Sequence, residues 1–137
     1  MPFELVYGPA HGAETPSEER EAVESVEDLE RRLDLLERRG REGEPFIVEL
    51  VEPEAGSLGI GVGRDTSVAS FNGPDGDPPY YVSAGNGSDE DELVFYYQGT
   101  WTEFGPESAV PAADARAAMA SFFATRERPD EIAWTET

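Results

Sequence analysis

The sequence predicts an α+β domain, an antiparallel β-sheet meander with two packed helices. Two stretches, "SVEDLERRLDLLERRG" and "PAADARAAMASFFAT", repeat apolar residues at helical spacing. Between them lie short runs rich in β-branched and aromatic residues, joined by Gly, Pro, Asn and Asp links. With 137 residues the chain suits one domain and one core, and is too short for two.

Taken in order, "FELVY" (residues 3–7) reads as a short strand closed by Gly8-Pro9. Residues 8–24 mix Gly, Pro, Ala and Glu without clear period, which predicts a mobile loop or a weak helix. Ser25 and Asp28 then form a capping-box-like start, and Gly40 stands where a helix C-cap belongs. Val26, Leu29, Leu33 and Leu36 make one apolar stripe, while Glu27–Arg31, Asp28–Arg32 and Asp34–Arg38 are spaced for i,i+4 pairs.

"PFIVELVEP" predicts a strand buried on both faces. In "SLGIGVGRD" Leu58, Ile60 and Val62 alternate with Gly59, Gly61 and Gly63, so one face is apolar and the other bare. The bare face predicts close approach by a neighbour. "SVASF", "PYYVSA", "ELVFYYQG" and "TWTEF" continue the sheet, with hairpin-like links at "NGPDGDPP" and "GNGSDEDE". Pro111 opens the second helix, whose packing side carries Ala115, Met119, Phe122 and Phe123. Arg128-Pro129 ends it, and "EIAWTE" is a last strand.

Composition closes off much chemistry. Ten Arg against thirty Asp and Glu leave a formal net charge of −20. Such a field repels nucleic acid and anionic lipid and steers a basic partner inward. No run of about 18 to 20 apolar residues offers a membrane span, and the first residues lack the basic and apolar regions of a secretory signal. The expected location is the cytoplasm, and the Arg-only, Ala/Gly/Glu-rich usage leans bacterial.

No cysteine means no disulfide, thiolate metal site or Cys nucleophile. One histidine and no lysine leave no hydrolase triad and no Schiff base. "GIGVGRD" has Arg64 where a dinucleotide-binding loop needs its third glycine. The acidic clusters "DGD" (75–77) and "SDEDE" (88–92) do not fit an EF-hand. No cofactor and no metal are expected. His11 is expected to be a solvated bystander.

The C-terminal pattern F-F-x-T-x-x-R-P-x-x-I-x-W is set by Phe122, Phe123, Thr125, Arg128, Pro129, Ile132 and Trp134. Together with "SLGIGVGRDTSVASF", "YYVSAGN" and "VFYYQGTWTEFGPESAVPAADA", it resembles a family of bacterial immunity proteins usually encoded beside deaminase-fold toxins of polymorphic toxin systems. The resemblance covers residues 25–137. It departs at Arg126, where family members usually carry the glycine that suits a left-handed helix cap. On that basis Arg126→Gly is expected to be neutral or stabilising.

The resemblance implies an antitoxin that binds a cognate toxin domain with a basic substrate cleft. The block is steric and electrostatic, without catalysis and without direct contact to nucleic acid or membrane. Expected contacts are Asp75 and Asp77 in one hairpin tip and Asp89, Glu90, Asp91 and Glu92 in the other. Tyr80, Tyr81 and Trp101 are candidate aromatic anchors beside them, although simple core packing is the more expected role and so the stronger rival for all three. The alternative reading is an acidic protein-binding module or nucleic-acid mimic with no toxin; a carboxylate-dependent enzyme is more distant still.

Overall fold

The computed structural model of the chain describes residues 3–7, 19–76, 79–85, 93–97 and 100–136. Its elements are β1 (Phe3–Tyr7), β2 (Glu19–Val23), α1 (Val26–Glu42), β3 (Phe46–Glu52), β4 (Gly56–Val62), β5 (Thr66–Ser67), β6 (Ala69–Asn72), β7 (Tyr80–Ala84), β8 (Leu93–Tyr97), β9 (Thr100–Phe104), a 3-10 turn (Pro106–Ser108), β10 (Val110–Pro111), α2 (Ala112–Thr125) and β11 (Ala133–Glu136). The fold is α+β: both helices cover one face of a largely antiparallel sheet.

The main sheet runs β11-β7-β6-β4-β3-β1-β2, each neighbouring pair antiparallel. The expected meander therefore holds through β3, β4, β6 and β7 and then stops. The hairpin β8–β9 leaves the sequence of neighbours and joins β3 through one parallel bridge, Phe46 to Tyr96. β5 pairs with β10 in a separate two-stranded ladder at the start of α2.

The predicted loop or weak helix also differs in part. Glu19–Val23 is a strand, paired residue for residue with β1. Its charges fit an edge position, where one backbone side and one face stay in water. Residues 8–18, with His11, lie outside the described residues.

α1 begins as its sequence predicts. Ser25 Oγ accepts from the Asp28 backbone N–H at 3.0 Å, and the Asp28 carboxylate accepts from the Glu24 N–H. Leu29, Leu33 and Leu36 are buried, but Val26, at the first turn, is exposed. Gly40 is not the cap. The helix continues to Glu42, and Gly43 closes it by donating to the Arg39 carbonyl. Gly40 serves packing instead: a Cβ there would lie 2.9 Å from the Gly63 Cα, so helix and sheet meet backbone to backbone. Asp34 pairs not with Arg38 but with Arg116 of α2, which also binds Glu30 and so ties the helices together.

Two apolar clusters fill the fold. The larger lies between helices and sheet and contains Leu5, Leu29, Leu33, Leu50, Leu58, Ile60, Met119 and Phe122. The smaller lies on the opposite face, where Phe95 and Leu93 of β8 pack with Ile47, Val68 and Ala109. The bare glycine face of β4 makes this second cluster possible, because any Cβ on Gly61 would collide with the Phe95 ring. The expectation that β3 is buried on both faces holds for the same reason, with Val48 in one cluster and Ile47 in the other.

Candidate functional site

The C-terminal motif is built into the large cluster. Phe122 is fully buried, edge-on to Phe3 and Phe71 at 5.3 and 5.6 Å. Phe123 meets Phe3 at 5.1 Å, and the Trp134 indole N–H donates to the Pro129 carbonyl at 2.7 Å. Arg128 stands 4.4 Å from the centre of the Tyr81 ring, a cation–π contact that secures the chain after the helix. Most of the motif is committed to holding the fold together, while Thr125 and Arg128 remain exposed.

Arg126 does take the left-handed conformation, with φ of 62° and ψ of 23°. Its role exceeds a cap, however. The guanidinium binds Glu52 at 2.5 Å and Glu54 at 3.5 Å. Glu52 has 0% exposure, at the helix-facing end of β3. Burial, the strongest influence, pushes its carboxyl up, but the Glu54 backbone N–H and Arg126 together hold it below the usual carboxylate range. Removing Arg126 leaves a buried carboxylate without its cation, so the expected neutrality of Arg126→Gly gives way to a predicted loss. The sequence offered only one hint, a large basic residue where the resembled family carries glycine.

The candidate contact residues separate in space. Gly73 to Gly76 form a turn with Gly76 at φ of 73°, and Asp75 is exposed on it. Tyr80 donates its hydroxyl to the Gly76 carbonyl at 2.8 Å and keeps 39% of its surface exposed. Side chains alternate along β7, so Tyr80 and Tyr81 face opposite ways. Tyr81 turns toward the helices and packs on Phe71, which gives it the core role that the sequence held as the rival for all three aromatics.

Trp101 sits on the outer face of β8–β9, 42% exposed, with its ring edge-on to Tyr96 at 5.3 Å. It and Tyr80 depart from the core-packing expectation. Asp77 and the cluster Asp89, Glu90, Asp91 and Glu92 lie outside the described residues.

The sequence reading missed a further surface. Between α1 and the β1–β2 hairpin is a cleft of about 230 Å³ bordered by Tyr7, Glu21, Arg32, Leu35 and Arg39. Tyr7 donates to Glu21 at 2.8 Å, and Glu21 also binds Arg32. Burial above all, then the bond to Glu21, raises the Tyr7 phenol from 10 to about 12. The available signal was the placement of five of the ten arginines between positions 31 and 41.

The hydroxyls of Ser67 and Ser83 are spent on backbone groups of Gly61, Ala69 and Ser108. Among the described residues no buried side-chain polar atom lacks a partner. No group of three or more potential metal ligands occurs among them, and none of their helices is long and apolar enough to cross a membrane.

Among the described residues Tyr80 and Trp101 are exposed on a chain of net charge −20. The family comparison gives the chain its class. Residues 17–136 match the family model of immunity protein Imm1, and the chain belongs to that family. Membership implies a cognate toxin as partner. No curated protein matches the chain.

Proposed function

We propose that this immunity protein blocks a nucleic-acid deaminase toxin in the cytoplasm by covering the toxin's basic substrate cleft, and that it performs no chemistry itself. The observation that carries the reading is the pairing of a −20 charge with exposed Tyr80 and Trp101 on hairpins away from the helix-side core. An enzyme that acts on nucleic acid lines its cleft with cations, and a polyanionic protein is drawn to such a cleft at long range. Aromatic side chains then supply the short-range part of affinity. Asp75 and Asp77 stand beside Tyr80 in sequence, and Asp89, Glu90, Asp91 and Glu92 belong to the link before β8.

Co-expression with the toxin domain encoded beside this gene tests the reading. The expected result is rescued growth, a co-purifying complex, and loss of base deamination in an assay with purified components. Trp101→Ala is expected to weaken binding by about 1–3 kcal/mol, and neutralising residues 89–92 to slow association and flatten its salt dependence. A neighbouring toxin that remains active at saturating inhibitor and low salt would remove the reading.

A further inference from the structure

We infer that the outer face of α1, centred on Leu35 and Arg39, is a second contact surface for the toxin, one that receives an acidic side chain flanked by an apolar one. The inference rests on the toxin-inhibitor reading above. The molecule is acidic almost everywhere, yet Arg31, Arg32, Arg38, Arg39 and Arg41 crowd one stretch of this helix.

The arginines differ in what they already bind. Arg31 and Arg32 are held by Asp28, and Arg32 also by Glu21. Arg41 is held by Glu37 and Asp65. Arg39 instead faces the Tyr7 ring, 5.6 Å from its centre, and among the described residues Arg38 has no ion pair. Beside them Leu35 is 53% exposed at the cleft, the most exposed large apolar side chain among the described residues.

The charge pattern selects the occupant. A second copy would bring another −20, so self-association is opposed at long range. Nucleic acid is repelled by the same field. A single carboxylate on the rim of a basic toxin is compatible with both the field and the local cations. Such a contact also supplies something the overall charge does not. Attraction by an acidity spread over the whole surface does not specify which face docks, whereas one patch of opposite sign fixes the register.

The test uses the full chain and the neighbouring toxin domain, inactivated in its active site, with association and dissociation rates measured separately. Leu35→Glu and Arg39→Glu both make the inhibitor more acidic, so steering alone predicts faster association and no loss of affinity. The proposal predicts the reverse in affinity: dissociation about tenfold faster or more, with on-rates preserved. Arg20→Glu, on the opposite face of the β1–β2 hairpin, carries the same charge change as Arg39→Glu and should keep wild-type affinity.

Leu35 is 53% exposed at the cleft that Tyr7 also borders, so Leu35→Glu tests the surface while the Arg39–Tyr7 contact keeps both its side chains. If Leu35→Glu binds as tightly as wild type, or if Arg39→Glu and Arg20→Glu behave alike, the α1 contact is overturned while the inhibitor reading stands. If wild type does not bind the toxin at all, that reading falls and the inference with it.

Discussion

α1 and α2 lie on the same face of the same sheet, yet opposite forces hold them there. α1 is specified locally: a serine cap, acidic residues in its first turn, arginines in its last, and a narrow leucine stripe. Its outward face is charged and carries Leu35 into solvent. α2 has almost none of this. Its N-cap is Pro111 with no side-chain cap, half of its residues are alanine, and its end is the strained Arg126. Burial of Ala115, Ala118, Met119 and Phe122 holds it in place. Each helix buries one side and exposes the other, but α1 has local signals at its ends as well, whereas α2 depends on its buried side.

The most severe way to break this contrast is to empty the pocket under α2. Phe122→Ala removes a ring that touches Phe3 and Phe71, and is expected to cost about 3–5 kcal/mol in denaturant melts. A loss under about 1 kcal/mol would mean that α2 is held by something other than its aromatic contacts.

Arg126→Gly sharpens the contrast next. Relief of the left-handed backbone favours glycine by on the order of 1 kcal/mol, but loss of the cation beside buried Glu52 outweighs it, so the melting temperature should fall by several degrees. In the Glu52→Gln background the glycine should become neutral or stabilising. The sign with pH follows from the depressed carboxyl of Glu52. Its contribution is complete above the ordinary carboxylate value and disappears as pH falls through the lower folded value, so the gap between wild type and Arg126→Gly should narrow in acid.

The smallest effect belongs to α1. Ser25→Ala removes one cap bond and is expected to cost about 1 kcal/mol, with toxin binding unchanged.

The same contrast explains what was legible in the sequence. The start of α1, the glycine face of β4 and the aromatic tail could be read because each is a pattern within a few residues. β2 could not, because Glu19, Arg20 and Glu21 show no strand alternation and become a strand only through pairing with β1. The departure of β8–β9 from the meander depends on Phe95 finding Gly61, a match between distant segments. Gly40 looked like a cap because glycine often ends helices, and its partner Gly63 was invisible along the chain.

The site was harder still. Two of the anchors have exposed rings, but nothing local distinguished Tyr80 from Tyr81 except which face each takes. The tie between Arg126 and Glu52 joins residues 74 positions apart in the chain.

Phe3, in the first strand, is clasped by Phe122 and Phe123 of the last helix. Contacts between such remote positions close late, after the intervening chain has lost its freedom. Assembly should therefore be slow for a molecule of this size and nearly all-or-none, although β1 keeps its ladders to β2 and β3 whatever becomes of the last helix. For a protective protein this coupling means that damage to the last helix also strips the first strand of its aromatic cover.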